Sequence, residues 1–397
     1  MTKLVNSWDE WSTLKRVIMG RPEGTNVTAP DPSWWEDDMT GGGYPFGSWG
    51  PYPQEMIDAA NQQMDYFEAQ LARRGVVVDR IYIQDFMFNK PLASPLGWTV
   101  QTAYGAANIR DVALVHGNTI IDAAVSRRSR HYEIYSLRPT FDRYFKEDPD
   151  CVYLSAPVPM LTDESYVKDY FNDFNNVWTD EVKRQKLHDW EFQLSEKEPL
   201  WDAADCMRFG KDIIWLASSV TNKAGFDWVK RMFAAFGVRV HLAAFDTPWP
   251  LKPGQHHNFH PWHIDTTFVP VRPGLCIVNP EWLPRNPELI ELCKKNDWEL
   301  VPSVKHTHMH NNPVSHCKVA KGTSWLGMNT LSFDEKTIFC DPHEPEYCQQ
   351  LSDLGFEIVE IPYDKVNPFG GMLHCTTLDV YRESTCADYF PNQIPGY

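Results

Sequence analysis

The chain has 397 residues, of which 43% are hydrophobic and 23% charged, so it can bury a large core. Its net charge of −16 argues against nucleic acid or an anionic membrane as a partner, because both require Lys and Arg to balance phosphate charge. The first residues lack the apolar core of a signal peptide, and no run approaches the ~18 apolar residues of a membrane helix. The nine cysteines form no Cys-x-x-Cys pair, which disfavours a disulfide framework. We therefore expect a cytoplasmic protein with reduced thiols.

A strand–helix–strand pattern is predicted first between residues 14 and 83. A buried strand over 14–22 precedes a helix from Pro53 to Arg74, whose apolar residues recur at helical spacing, and a second strand follows at 76–83. The same order recurs at 112–125, 127–147 and 151–158; at 212–219, 222–237 and 238–245; at 274–280, 287–297 and 298–304; and at 337–342, 344–355 and 356–363. This repeat predicts an α/β fold, either an open doubly wound sheet or a closed ring of five units.

Polar residues interrupt the apolar pattern where one predicted unit meets the next. They are Arg110-Asp111, Asp202 with Asp205, His263 with Asp265, and His374-Cys375. In a radial arrangement of five units these junctions converge on one central channel. Taken singly, each has an ordinary structural interpretation: a thiol in a core strand, or a carboxylate that caps a turn.

A thiol, an imidazole and several carboxylates form a set with definite chemistry. The thiolate is a nucleophile, an imidazole is its usual proton-transfer partner, and ionised carboxylates only accept hydrogen bonds. A planar, cationic guanidinium group fits such a pocket best, and its carbon is open to thiolate attack. Because neighbouring residues of an extended segment point to opposite faces, we expect His374 to point away from Cys375 and assign the proton transfer to His263.

Metal binding is the competing interpretation of the histidines. They occur in two groups, His256, His257, His260 and His263, and His306, His308, His310 and His316 with Cys317. The spacings typical of zinc sites are missing, so we predict no metal and interpret these residues as solvated loop histidines.

Several longer motifs occur together along most of the chain. They are Val5-Asn6-Ser7-Trp8-Asp9-Glu10-Trp11, Arg110-Asp111, Trp201 with Asp202-Ala203-Ala204-Asp205, His263-Ile264-Asp265-Thr266-Thr267-Phe268, Ser324-Trp325-Leu326-Gly327-Met328-Asn329, and Gly370 to Cys375. In this combination the chain resembles the arginine:glycine-type amidinotransferases. The resemblance implies a five-bladed α/β-propeller formed by residues 1–397 as a single domain.

The resemblance also implies a reaction and a set of roles. Cys375 would attack the guanidino carbon of a donor, normally arginine, and His263, paired with Asp202, would protonate the departing ornithine. An acceptor amine would then take the amidino group from the cysteine. Asp111 and Asp265 would hold the guanidinium group. The other substrate-side residues are Arg110, Asp205, Trp262, Trp282 and Thr323. The implied partners are a small guanidino donor and an amine, with no cofactor, and a homodimer is compatible with the family.

Two questions about the substrates stay open at this stage. Related guanidine hydrolases use the same Cys, His and Asp residues with water as the acceptor, so hydrolysis is the alternative function. Trp282 stands where glycine-using members carry an arginine for the donor carboxylate, and Gly322-Thr323 replaces a serine pair. The segment 246–262 is longer and more aromatic than in those relatives, which favours a larger acceptor, and the segment 34–49 is a candidate cover. We expect an acceptor amine from secondary metabolism.

Overall fold

The computed structural model describes residues 3–29, 31–33, 49–85, 90–244, 263–306 and 325–397, without the side chains of Asn175 and Pro284. Several predicted features lie outside these residues: Trp262, Thr323, the segment 246–262, nearly all of the segment 34–49, and all the clustered histidines except His263 and His306.

Short strands alternate with helices along the described chain, as the sequence pattern predicts. The strands are β1 (Leu14–Met19), β2 (Asn26–Val27), β3 (Gly50–Pro51), β4 (Val77–Arg80), β5 (Leu92–Ala93), β6 (Thr99–Val100), β7 (Ala113–His116), β8 (Thr119–Asp122), β9 (Val152–Ser155), β10 (Cys206–Phe209), β11 (Asp212–Leu216), β12 (Arg239–Ala243), β13 (Phe268–Arg272), β14 (Leu275–Val278), β15 (Glu299–Pro302), β16 (Leu331–Asp334), β17 (Thr337–Cys340), β18 (Glu357–Glu360) and β19 (Thr377–Arg382). The helices are α1 (Gln54–Arg73), α2 (Arg138–Glu147), α3 (Tyr170–Asn176), α4 (Asp180–His188), α5 (Lys223–Ala235), α6 (Pro287–Lys295) and α7 (Pro345–Asp353).

Five three-stranded sheets share one topology. They are β19-β1-β4, β7-β8-β9, β10-β11-β12, β13-β14-β15 and β16-β17-β18, here called units one to five. In each unit the first two strands are antiparallel, and the third lies parallel to the second after a connecting helix. Unit one takes its first strand, β19, from the C-terminal part of the chain, so the first and last parts of the fold share a sheet.

The five units close into a ring, as their buried contacts show. Each of five hydrophobic clusters joins two successive units: Ile18 with Val115, Ile121 with Trp215, Ile214 with Phe268, Ile277 with Ile338, and Phe339 with Phe67. The last of these joins unit five to unit one. The closed ring predicted as one alternative is therefore correct. An open sheet would leave each of the two end units with a neighbour on one side only, and it is not formed.

The first helix follows its sequence pattern closely. The residues buried along α1 include Ile57, Ala60, Met64, Phe67 and Leu71, which lie on one face at helical spacing. The second predicted helix, 127–147, is shorter than expected. Only α2 is α-helical, and two 3₁₀ turns precede it. The first of these turns carries Arg130, which is buried and forms ion pairs with Asp111 and Glu133.

Helices α3 and α4 form an insertion between units two and three that the sequence pattern does not predict. Thr179 caps α4 by accepting a hydrogen bond from the backbone N–H of Val182. In the described parts of the chain, the helices are all too short or too polar to span a membrane.

Tight turns at the starts of the first strands bring the predicted polar residues together. Four of them are 3₁₀ turns, at Ile109–Asp111, Ala203–Asp205, Ile264–Thr266 and Leu326–Met328, and the fifth is the turn at 373–376 before β19. Each 3₁₀ turn contacts the next one around the ring, and the first contacts β19. The side chains at these junctions therefore meet at one end of the ring axis.

A buried ion network joins three units beside these turns. Asp379 of β19 accepts hydrogen bonds from Arg208 of β10, from Arg110 at 2.5 Å and from Arg382 at 2.7 Å. Arg208 also forms a bidentate ion pair with Glu10, in which Nε donates to Oε1 at 2.7 Å and Nη2 donates to Oε2 at 2.6 Å. Burial alone would raise the pKa of Asp379, but the three guanidinium groups hold it well below its usual range.

Replacing Arg208 by Met should destabilise the fold by about 3–5 kcal/mol, because Glu10 and Asp379 would then be buried with too little positive charge. The free energy of unfolding, measured by denaturant titration, tests this. The control is Arg231→Met, which removes an exposed pair with Asp227 on α5 and should cost nothing measurable. Equal stabilities of the two variants would contradict a structural role for the network.

Candidate active site

Cys375 lies buried in the turn before β19 and faces side chains from two other units. Its Sγ atom accepts a hydrogen bond from Asn329 Nδ2 at 3.0 Å and lies 3.4 Å from Asp265 Oδ2. Gly371 packs against the same turn, and a Cβ atom there would come within 2.7 Å of Cys375 Cβ. A glycine at this position is therefore required for the turn to fold back on the cysteine.

His263 lies between two carboxylates at the start of unit four. Its Nε2 atom is 3.4 Å from Asp202 Oδ2, and its Nδ1 atom is 3.7 Å from Asp111 Oδ1. Burial would lower the pKa of this imidazole, but the charge of Asp111 and the hydrogen bond to Asp202 outweigh it and raise the pKa to about 9. His263 is therefore an imidazolium cation at neutral pH.

Three carboxylate oxygens at the site are buried without a hydrogen bond. Oδ1 of Asp111, Oδ1 of Asp202 and Oδ1 of Asp265 each have no hydrogen-bond partner in the described part of the chain. An unsatisfied buried acceptor costs free energy, so such atoms are expected to serve a ligand. Together the three oxygens form an acceptor surface for a cation that is rich in N–H donors.

Arg130 balances part of the negative charge at the site. It forms a buried ion pair with Asp111 and a second one with Glu133, at 2.8 Å. Its guanidinium carbon lies 4.7 Å from the centre of the Tyr104 ring. Asp111 is thus held in place through one oxygen, while its other oxygen faces His263.

The surroundings of Cys375 and Asp265 shift the pKa values of both groups. Burial, together with the charges of Asp265 and Asp111, raises the pKa of the Cys375 thiol well above its usual value. For Asp265, burial favours the protonated acid, but the hydrogen bond from His374 outweighs it and lowers the pKa of this carboxyl. The thiol is therefore protonated beside an ionised carboxylate at neutral pH.

His374 does not point away from Cys375, as the sequence analysis expected. The expectation assumed an extended segment, but residues 373–376 form a turn, in which neighbouring side chains are rotated by much less than half a revolution. His374 Nδ1 lies 2.8 Å from Asp265 Oδ2, the same oxygen that Cys375 approaches. Its Nε2 atom lies 3.6 Å from Glu10 Oε2. His374 thus supports the carboxylate beside the thiol.

Arg110, a predicted substrate residue, contacts the nucleophile turn through its backbone and its side chain. Its Nε donates to the carbonyl oxygen of His374 at 2.8 Å, its backbone N–H donates to that of Cys375 at 3.3 Å, and its Nη2 binds Asp379. This guanidinium group is therefore engaged in holding the turn.

Trp282 is not brought into the group around Cys375, whereas Asp205 lies close enough to His263 and Asp202 to interact with them electrostatically. Asp205 accepts hydrogen bonds from the hydroxyls of Ser218 and Thr221, and burial raises the pKa of its carboxyl well above the usual range. Trp282 is buried in an aromatic cluster that includes Tyr170 of the inserted helix α3.

Asp111, Asp202 and His263 are the one group in the described residues whose ligand atoms lie close enough to hold a metal ion, within 4.8 Å of one another. In the described structure the same atoms form ion pairs of His263 with the two carboxylates, and Asp111 is also paired with Arg130 through its other oxygen. The geometry and charge of this group thus match an ion-paired histidine.

His306 is not a solvated loop histidine, contrary to the sequence interpretation. Its ring is buried against Trp325 and Tyr347, and its Nε2 atom lies 3.1 Å from Ser303 Oγ. The aromatic partners are distant in sequence, so no local pattern revealed this burial.

Sequence reasoning assigned no role to Asn329, Arg130 or Glu10, although Asn329 and Glu10 lie in the motifs quoted above. A signal for Asn329 existed, because it follows the 3₁₀ turn of unit five, the one junction to which the sequence analysis assigned no polar residue. Arg130 and Glu10 had no such signal, since both act through partners that only the fold brings near.

Comparisons with known proteins identify relatives along nearly the whole chain, although no family model matches. The mitochondrial glycine amidinotransferase of Xenopus tropicalis is 32% identical, over 97% of this chain and 85% of its own length. The L-arginine:L-lysine amidinotransferase of Pseudomonas savastanoi pv. phaseolicola is 30% identical, over 98% of this chain and 97% of its own.

Solved structures agree with these relatives. SxtG, an amidinotransferase from Microseira wollei in the saxitoxin biosynthetic pathway, superposes with a TM-score of 0.77 at 32% identity, covering 97% of this chain and 99% of its own. The inosamine-phosphate amidinotransferase StrB1 of Streptomyces griseus gives 0.76 at 25%, covering 98% and 100%. A dimethylarginine dimethylaminohydrolase shares the fold, at 12% identity with a TM-score of 0.53. The chain therefore belongs to the amidinotransferases, enzymes with a five-bladed α/β-propeller fold.

Proposed function

We propose that this enzyme transfers the amidino group of L-arginine to an amine through a covalent amidino-cysteine on Cys375. The observation that carries the proposal is the convergence of one thiol with three buried carboxylate oxygens that lack hydrogen bonds. These oxygens match the N–H donors of a guanidinium group. The names of the relatives support the substrates, since one of them is an L-arginine:L-lysine amidinotransferase.

Binding of the donor also activates the nucleophile. In the free enzyme, burial and the charges of Asp265 and Asp111 hold the pKa of Cys375 high. A guanidinium cation placed among these carboxylates offsets their charge and lowers the pKa of the thiol. The thiol then releases its proton to solvent, and the thiolate forms beside the carbon that it attacks. When no donor is bound the thiol stays protonated, and it takes up a proton again when the product leaves.

In the first half of the reaction, the Cys375 sulfur forms a bond to the guanidino carbon of arginine. The bond from that carbon to the δ-nitrogen breaks, and the His263 imidazolium gives its proton to this leaving nitrogen. Ornithine departs, and an amidino group stays on the sulfur. Asp202 and Asp111 hold His263 in the protonated form that this step requires.

In the second half, an acceptor amine attacks the amidino carbon. The neutral His263 takes a proton from that amine, the carbon–sulfur bond breaks, and the electron pair returns to Cys375 as thiolate. The products are the amidinated amine and the original enzyme. Water would give hydrolysis by the same route, so burial of Cys375 and His263 favours transfer by limiting the access of water.

The donor side differs from that of the glycine-using enzymes at Trp282, which stands where they carry an arginine. Trp282 is uncharged and buried in the aromatic cluster, so it offers no charge to a donor carboxylate.

We infer that the acceptor is an amine of secondary metabolism, because SxtG and StrB1 share the fold at 32% and 25% identity. Trp262 and Thr323 stay proposed contacts of the acceptor or donor.

Treating the enzyme with arginine alone should raise its intact mass by one amidino group, and Cys375→Ala should abolish the increase. The control is Cys386→Ala, which removes a partly exposed thiol outside the site and should leave the adduct intact. An adduct of unchanged yield on Cys375→Ala would contradict the assignment of the nucleophile.

Multiple turnovers should release ornithine only when an amine such as lysine or glycine is present, because the amidino group otherwise stays on the sulfur. Product analysis with and without the amine measures this. Continuous formation of citrulline or ammonia from arginine alone would instead establish hydrolysis.

Agmatine lacks the carboxylate of arginine. If the site makes no charged contact with that group, kcat/KM for agmatine should be little lower than kcat/KM for arginine.

Replacing Asp202 by Asn should move the alkaline limb of the donor kcat/KM to lower pH by about one unit or more, since it removes a charge and a hydrogen bond that favour the imidazolium. His263 is protonated below about pH 9 and loses its proton as the pH rises through that value, so the first half-reaction slows above it. The pH profile of Asp65→Asn, an exposed substitution on α1, is the control. Coincident profiles for wild type and Asp202→Asn would contradict the role of His263 as the acid.

A further inference from the structure

Asn329 makes three hydrogen bonds to the turn that carries the nucleophile. Its Nδ2 atom donates to Cys375 Sγ at 3.0 Å. Its Oδ1 atom accepts from the backbone N–H groups of His374, at 2.9 Å, and Cys375, at 3.1 Å. One side chain from unit five thus holds both the backbone and the sulfur of the nucleophile.

The orientation of this amide is determined by its partners. The two backbone N–H groups can only donate, so the oxygen of Asn329 must face them and the NH₂ group must face the sulfur. The side chain is also buried, and its backbone N–H donates to Leu326 O at 3.0 Å, which closes the 3₁₀ turn of unit five. The donor is therefore aimed at Sγ before any substrate binds.

The surroundings of the sulfur make this donor important. On one side lies the carboxylate of Asp265, 3.4 Å away, and Asp111 adds further negative charge. Donors that favour the charged sulfur come from Asn329 Nδ2 and from the backbone N–H of Met372. A thiolate beside two carboxylates needs such donors, because hydrogen bonds to a charged group are stronger than those to a neutral one.

We propose that Asn329 stabilises the thiolate of Cys375 through its amide N–H while its amide oxygen holds the turn in place. This inference rests on the proposed function of Cys375 as the amidino carrier. The thiolate is the attacking group in the first half-reaction and the leaving group in the second, so Asn329 assists both. Asn329 is then a residue that contacts a reacting atom, although it neither gains nor loses a proton.

Asn108 provides a matched comparison from unit two. Its Nδ2 atom donates to Phe369 O at 2.8 Å, and its Oδ1 atom would lie 2.1 Å from a Cβ atom on Gly371. Asn108 therefore packs against the same loop from the other side, and its described contacts do not include the sulfur. A substitution at Asn108 therefore tests the effect of weakening this loop without removing a hydrogen bond to the sulfur.

The test measures the rate of Cys375 alkylation by iodoacetamide as a function of pH, on the full chain without donor and with the site of modification mapped by peptide mass. The variants are Asn329→Ala, Asn329→Asp and Asn108→Ala. Below pH 9, both Asn329 variants should react about tenfold to a hundredfold more slowly, and their profiles should move to higher pH. Asn329→Asp keeps acceptors for the two backbone N–H groups but also adds a charge beside the sulfur, so its profile should move further than that of Asn329→Ala, which removes the donor alone.

The Asn108→Ala profile should keep the wild-type midpoint even if the variant is less stable, because this substitution adds no charge near the sulfur. Coincident profiles for wild type and Asn329→Asp, with both proteins folded by circular dichroism, would overturn the proposal. Alkylation requires no guanidine, so the outcome is separate from amidino transfer. If the Asn329 variants have displaced profiles but arginine leaves no adduct on the wild type, Asn329 stabilises the thiolate and the proposed transfer is wrong. If arginine leaves the adduct but the profiles are not displaced, the transfer stands and the role of Asn329 is wrong.

Discussion

The buried charges around Asp379 are the constraint on which the rest of the structure depends. Asp379 belongs to the last strand, Glu10 to the N-terminal segment, and Arg208 to unit three, so their ion pairs connect parts of the chain that are far apart in sequence. Buried ions are costly unless they are paired with good geometry. The ring therefore reaches its stable, fully paired arrangement only when the first and last parts of the chain meet in unit one.

This network extends to the catalytic turn through Arg110. The same guanidinium group that binds Asp379 donates to the carbonyl oxygen of His374, next to Cys375. Asn329 holds the backbone N–H groups of the turn, and Asp265 is shared by His374 and the thiol. Cys375 is thus positioned by groups from several units, as the proposed reaction requires, because the sulfur and the imidazole would have to be aligned on one carbon.

The buried carboxylates of the site raise the pKa values of both Cys375 and His263. The carboxylates keep the thiol protonated and the imidazole protonated, so the free enzyme holds an acid in place but a weak nucleophile. In the proposed reaction, a cationic donor would offset the negative charge of the carboxylates and so favour the thiolate. The arrangement limits thiolate chemistry to molecules that carry positive charge, and a buried sulfur is protected from water and oxidants.

The sequence by itself determined the repeated strand–helix–strand units, because apolar periodicity is a local signal. It also predicted Cys375, His263, Asp202, Asp111 and Asp265 as site residues from their positions at the junctions. It did not predict helices α3 and α4, the burial of His306 or the turn that places His374 and Cys375 against one carboxylate. Only the tertiary structure decided that Arg110 binds Asp379, that Trp282 packs among aromatic rings and that Asn329 reaches the sulfur. Such contacts join residues from different units, and their partners cannot be identified until the ring closes.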